Sequence, residues 1–503
     1  MYSEILTGFS YFIQPDNILA MFCGTALGII IGAIPGLGVT LAIAVLTPLT
    51  FSMQPLTAIV FLLGIYIGGI FGGSITAILI NTPGTPAAAA TLIDGYPLAK
   101  QGKARKALNM ALYASVMGNI FGVMALIIIA AQLAKLALQF GPPEYAMLIL
   151  FSLTIIASMT GKSIIKGLLS AALGLFLCTI GADPMNGTPR LIFGINELAD
   201  GLNILPLLIG LFAVGEIFIQ AEKKPVSHIS TATLVHSTKP EDNRVSFGEL
   251  KSSFKSIVRS SLIGIFIGTL PGIGSSVTAF LSYGMASRYS KNPDQFGKGA
   301  LEGVAAAESG NNAVCGAALI PLLAFAIPGD LTCAVLLGAL MIHGLTPGPL
   351  LFQTHIETIY GIFISLAFCS VVLLILGKIS FRMFGFITSL PRHFIFPFVL
   401  VLCAVGSYSM KNSLFDVYVM FIFGLIGYGM AKGDFPPAPM VIAFILGPMF
   451  ENHLRQALIM SSGNYSIFIT RPVSTLFVVM TVISVSLIIY GKFKGKRQHT
   501  DSG

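Results

Sequence analysis

The sequence predicts an all-α polytopic membrane protein with about 11–12 transmembrane helices plus re-entrant hairpins, arranged as two inverted repeats. Three observations lead there. Of 503 residues, 55% are hydrophobic and 10% charged, with a mean hydropathy of +0.86, outside soluble globular usage. Long uncharged apolar runs recur, separated by short loops that hold most of the lysines and arginines. Four apolar stretches are interrupted by proline and glycine, at Pro35-Gly36, Pro83-Gly84, Pro271-Gly272 and Pro328-Gly329. The net charge of +8 is therefore a topology signal and not a nucleic-acid footprint. The six cysteines are scattered, with no CxxC or Cys/His cluster, so neither a disulfide framework nor a zinc site is expected.

In chain order, residues 1–16 carry acids and no Lys or Arg, which places them outside. The first membrane repeat occupies 17–221. Its opening stretch, Ile18 to Phe51, is broken at Pro35-Gly36-Leu37-Gly38 and has no basic residue at either end, so it reads as a hairpin entering from outside. Leu56 to Ile80 is long enough to span and runs into the second break, Asn81 to Pro86. Lys100, Lys103, Arg105 and Lys106 mark the inner face. Spans over 107–131, 145–159, 164–180 and 204–219 follow, with Lys162 and Lys166 inside and the polar loop 183–200 outside. Residues 222–256 form a hydrophilic cytoplasmic linker containing Lys223, Lys224, Lys239, Arg244, Lys251 and Lys255.

The second membrane repeat occupies 257–448. Between Arg259 and Arg288 the chain is apolar, with Pro271-Gly272 in the middle. The arms, Ser260–Leu270 and Ile273–Ser287, fall short of the roughly 20 residues a crossing helix needs. A re-entrant hairpin based on the inner face fits these ends, and a single kinked span is the alternative. Ala300 to Ile327 crosses outward. Leu331 to Phe352 either spans or re-enters. Residues 449–490 give an external loop, exceptional for its Arg455 and Arg471, and a last span. The tail 491–503 is basic and inside.

The breaks recur in the same order. Gly28, Ile29, Ile31, Gly32, Pro35, Gly36 and Gly38 align with identical residues in 264–274, and a further Pro-Gly follows each copy. The opposite end charges of the two hairpins make the repeats inverted, and broken helices at matching positions point to a transporter's binding site. A half-helix N-terminus carries roughly +0.5 of an elementary charge and favours an anion, while freed carbonyls suit a cation. The substrate-binding candidates are accordingly Pro35, Gly36, Gly38, Thr40, Asn81, Thr82, Gly84, Pro271, Gly272, Gly274, Ser275, Ser276, Asn311, Asn312, Pro328 and Gly329. An acid inside a span is costly unless it faces a partner or a cavity, so Glu308 and Asp330, with Ser276 and Asn311, are candidates for a Na⁺ coupling ion. The competing reading for the small and hydroxyl residues is close helix packing. Walker A, HExxH and GxSxG motifs are absent, so no catalytic site and no cofactor beyond a coupling ion is expected.

The stretches GAIPGLG (32–38), FGGSITAILINTPGTPAAAATLIDGYPLAKQGKARKAL (71–108), GTLPGIG (268–274), ESGNNAVCGAALIPLLAFAIPGD (308–330) and HGLTPGP (343–349) resemble the large membrane subunit of the tripartite tricarboxylate transporters. The likeness runs from about Asn17 to Pro448. It implies a multi-pass permease of the bacterial inner membrane that works with a small four-span membrane subunit and a periplasmic solute-binding protein. It further implies that an organic anion, a tri- or dicarboxylate, is imported with a cation gradient.

Overall fold

A computed structural model describes residues 2–159, 163–222, 237, 239–389 and 392–500. Lys162, Lys223 and Lys224, counted above among the inner charges, lie outside these. Helices dominate the described residues, whose strand content is one two-residue pair, Gly181–Ala182 antiparallel to Pro189–Arg190.

The first half opens with α1 (Tyr2–Phe12) and α2 (Pro15–Gly32), whose N-terminus Pro15 begins without needing a backbone donor. After the Pro35-Gly36 break come α3 (Val39–Leu46) and α4 (Pro55–Ile80). Helix α4 is the axis of the molecule. Every residue from Leu56 to Leu79 is buried, and α2, α3, α5 (Ala89–Leu98), α6 (Ala104–Ala137), α14 (Leu301–Ala317) and α18 (Ile356–Ser389) surround it. A helix apolar on all sides can be enclosed in this way without burying a charge. Close approach comes from small residues: a Cβ on Gly24, Gly28 or Gly32 of α2 would lie 2.2, 2.5 or 2.2 Å from the carbonyl oxygens of Phe61, Ile65 and Gly69. Helices α7 (Pro142–Met159), α8 (Ile164–Leu177), α9 (Ile204–Leu208) and α10 (Gly215–Glu222) complete this half. The last two are joined through a π-helical stretch, Ile209–Val214.

The second half begins with α11 (Pro240–Asn243) and α12 (Phe247–Gly268). A capping box sets the start of α12: Ser246 accepts from the Glu249 N–H and the Glu249 carboxylate accepts from Ser246. The helix thus starts well before the apolar run, and the eleven-residue arm expected from Ser260 is the membrane end of a 22-residue helix. Helix α13 (Gly274–Tyr289) folds back against it, then α14 (Leu301–Ala317) and α15 (Leu319–Phe325) follow, parted at Ala318. Pro321 explains the parting, because it has no N–H to offer the Ala317 carbonyl. Helix α16 (Leu331–Ile342) has 12 residues, about 18 Å of rise, and cannot cross the hydrocarbon core alone. The chain beyond it returns to α15 through the Gly348 N–H to Leu323 O bond, so 331–352 does not form the span left open above. Then come α17 (Leu351–Thr354), α18 (Ile356–Ser389), α19 (Arg392–Ser409), α20 (Leu414–Lys432), α21 (Pro437–Met460), α22 (Ile467–Thr470) and α23 (Pro472–Thr500). Residues 451–460, read from sequence as loop, continue α21.

Among the described residues, six stretches are long and apolar enough to cross a membrane, and six shorter apolar helices accompany them. Large apolar side chains such as Ile128, Phe266, Leu425 and Val482 point outward, as they do where a helix faces lipid. Arg455 and Arg471, exceptional for loops expected outside, are paired with acids, as is Arg190. Arg455 pairs with Asp183 at 2.9 Å, Arg471 with Glu144 at 2.5 Å, and Arg190 with Glu451 at 2.9 Å.

Candidate functional site

The four breaks are built alike in pairs. Gly36 and Gly272 stand at φ +96° and +88°, and Gly38 and Gly274 at +60° and +71°, a region that only glycine enters without strain. Asn81 ends α4 in the left-handed region at φ 56°, and Ala326 ends α15 in the same way at 59°. The carbonyl of Gly32 would meet a Cβ on Gly84 at 2.0 Å, and that of Gly268 would meet one on Gly329 at 2.8 Å. Gly28 abuts Ile65 of α4 as Gly264 abuts Gly310 of α14. Several of these contacts correspond at positions that match between 28–38 and 264–274.

The halves exchange partners at the breaks. Helix α3 packs against α16, which follows the fourth break, and the Thr40 and Thr332 hydroxyls are 2.9 Å apart. Helix α13 packs against α5 and the turn Pro86–Ala88, which follow the second break. The Asn311 amide reaches the Ala87 carbonyl at 3.4 Å, and the Tyr66 hydroxyl donates to Asp330 Oδ2 at 2.7 Å. Within the second half, the Gly272 N–H donates to the Gly329 carbonyl at 2.8 Å, and Gly274 lies against the Asp330 side chain. Breaks three and four, and the start of α3, therefore converge near Asp330.

Asp330 also caps α16, its Oδ1 accepting from the Cys333 N–H at 2.7 Å. By contrast, α3 and α13 begin without any side-chain cap. The first N–H groups of each are left over by the helix itself. Ser275 and Ser276 at the start of α13 are half-buried and have no side-chain hydrogen bond among the described residues. Pro271 and Pro328 are buried in the turns. Above the first break, Gln220 of α10 covers Gly36, and its amide donates to Glu216. Ile156 of α7 covers Gly272. Asn81 and Thr82 are exposed, the Thr82 hydroxyl turning back to Ile80 O.

Glu308 forms a second polar cluster. It is fully buried and accepts from Ser74 of α4 at 2.5 Å, Thr91 of α5 and Ser115 of α6 at 2.9 Å. Asn312 donates to the Glu308 carbonyl and to Asn311 Oδ1, leaving its own Oδ1 buried without a partner. The candidate cation residues thus divide between two places: Asp330 and Ser276 near the tips, and Glu308 with Asn311 along α14. Tyr66, Ser74, Thr91, Ser115, Thr332 and Gln220 were not among the sequence candidates. Tyr66 is the one of these that carried a signal, as a lone tyrosine within the apolar α4. Single Ser and Thr residues in apolar helices mark nothing by themselves.

A model of the tripartite tricarboxylate transporter TctA family matches residues 18–442. An uncharacterized 52.8 kDa protein in the TAR-I ttuC' 3' region of Agrobacterium vitis is 36% identical over 496 residues, covering 98% of this chain and 97% of that protein. A second uncharacterized protein of that organism, in the TAR-II ttuC' 3' region, is 35% identical over 234 residues, 46% of this chain and 97% of its own length. No solved structure matches.

Proposed function

The chain belongs to the tripartite tricarboxylate transporter TctA family, a membrane transport component, and we propose that it is the permease subunit of a binding-protein-dependent secondary transporter. On this reading it imports tri- or dicarboxylates across the bacterial inner membrane, driven by a gradient of Na⁺ or H⁺. A periplasmic solute-binding protein delivers the anion, and a small four-span membrane subunit completes the complex.

One observation carries the anion: the two uncapped N-termini, α3 at Gly38 and α13 at Gly274, stand at broken tips that contact the other half. Free N–H groups at a helix N-terminus are suited to a carboxylate. Ser275 and Ser276 would add hydroxyl donors, and Asp330 beside Gly274 would hold the compensating cation. The reciprocal packing supports two repeats related by a two-fold operation, and the end charges of the two broken stretches support an axis in the membrane plane. Cysteines at Asp16 and Arg288 are then labelled from opposite faces.

The experiment is uptake of labelled citrate by vesicles holding the complete complex, with and without an inward Na⁺ gradient. We expect gradient-dependent accumulation in the wild type and its loss in Gly272→Leu, where φ is +88° and a Cβ would press to 2.9 Å from Ile156. Full uptake by that variant, or uptake indifferent to every cation gradient, contradicts the proposal.

A further inference from the structure

A cavity of about 700 Å³ opens at the base of the second hairpin, between α12, the α13–α14 connection and the α5–α6 turn. Six cations line it: Lys103, Lys106, Lys251, Lys255, Arg259 and Lys291. Its two acids are occupied. Glu249 pairs with Lys106 at 2.5 Å, and Glu302 accepts from Ser256 at 2.5 Å and Ser290 at 2.6 Å. The other five cations have no acidic partner among the described residues. Arg259 is held in place by Ser256 at 3.0 Å and by the Tyr289 ring at 5.1 Å, yet its Nε is buried without an acceptor.

Topology alone asks only that basic residues lie in inner loops, not that three separate segments bring them around one cavity. The external loops show the other outcome, since Arg190, Lys411, Arg455 and Arg471 each reach a carboxylate. Ser260 lies one turn above Ser256 on α12, and both Ser260 and Ser282 bury hydroxyls without a partner. Both border Gly310, where an added Cβ would meet Ser282 Oγ at 2.2 Å and the Ser260 carbonyl at 3.5 Å. Two unpartnered buried hydroxyls, Ser260 and Ser282, thus lie against α14 beyond the basic cavity.

We infer that this cavity is an inner-face anion vestibule, a second site where a small polycarboxylate dwells after leaving the broken helices and from which it inhibits further import. This rests on the carboxylate-import reading above. The test is initial-rate citrate uptake by vesicles of the complete complex preloaded with graded unlabelled citrate. Two variants are compared with the wild type: K251Q/K255Q/R259Q, and K251E/K291E, which alters only exposed side chains and so guards against misfolding. The expected result is a rise of at least tenfold in the internal concentration that halves uptake, in both variants, with the external KM shifted less than twofold. An unchanged half-inhibiting concentration overturns the inference, as does an equal shift in both constants or a wild type that imports yet ignores internal citrate. If the wild type imports no polycarboxylate, the functional reading fails separately. Calorimetric binding of citrate and of inorganic phosphate to the purified full chain then decides. A tenfold loss of citrate affinity in K251E/K291E upholds an anion site, phosphate binding of equal strength assigns it to anions in general, and identical affinities in wild type and variant overturn it.

Discussion

The two halves share a backbone plan and differ in what they place on it. In the first, α4 is one unbroken apolar helix of 26 residues, and its Tyr66 and Ser74 hydroxyls serve Asp330 and Glu308 of the other half. In the second, the corresponding run is split into α14 and α15 and carries Glu308, Asn311 and Asn312 in its interior. Gly38 has open space where a side chain would point, whereas Gly274 faces Asp330. Duplicated geometry therefore supplies a scaffold, and the second copy concentrates the ionisable groups. One half can then specialise in chemistry while the other holds the tips in place.

The largest effect that could break this comparison concerns the glycines at the second and fourth breaks. Gly84→Ala puts a methyl 2.0 Å from a backbone oxygen, and Gly329→Ala puts one at 2.8 Å from its neighbours. Overpacking of this kind costs about 1–3 kcal/mol or more, so Gly84→Ala should lower the thermal midpoint in detergent the further of the two. Equal midpoints would mean that the first half is not the tighter scaffold. Glu308→Leu comes next. It leaves the Ser74, Thr91 and Ser115 hydroxyls buried without their acceptor, at roughly 1–3 kcal/mol each for any that find no other, and we expect a loss of about 3 kcal/mol together with failed uptake. A variant of undiminished stability and uptake would remove the second half's claim to the buried polar cluster.

The smallest effect lies away from the breaks. The Asp183 carboxyl is held below its ordinary value of 3.8, first by the Met185 N–H and then by Arg455 and the Asn186 N–H. A depressed carboxyl contributes stability that is present above the unfolded value and is lost as pH falls through the folded one. The thermal midpoint should fall below about pH 4, and Asp183→Asn should show a shallower fall over that interval. The same slope in both proteins would mean that the Asp183–Arg455 ion-pair cluster does not contribute.

Much of this was legible in the sequence for a physical reason. Composition and apolar runs dictate helices in lipid, and proline and glycine interrupt them at fixed places. The repeat could be read because Gly28, Gly32, Pro35 and Gly36 have few substitutes where backbones touch or turn. The start of α12 at Phe247 was hidden because a hydrophilic segment obeys capping chemistry, Ser246 with Glu249, and not hydropathy. The partners of Glu308 were hidden because three lone hydroxyls on three helices meet only through tertiary packing. The exchange between α3 and α16 is likewise a property of the assembled halves, although Thr40 itself was marked by standing next to a break.

The most direct measurement compares Asp330→Asn with its counterpart in the first half, Thr85→Val, in citrate uptake as a function of external Na⁺ and of pH. Thr85 follows Pro83-Gly84 as Asp330 follows Pro328-Gly329. The account predicts at least a tenfold loss of initial rate and a flattened cation dependence for Asp330→Asn, with the cation dependence kept in Thr85→Val. Equal effects on the two, or a cation dependence lost only in Thr85→Val, would contradict it.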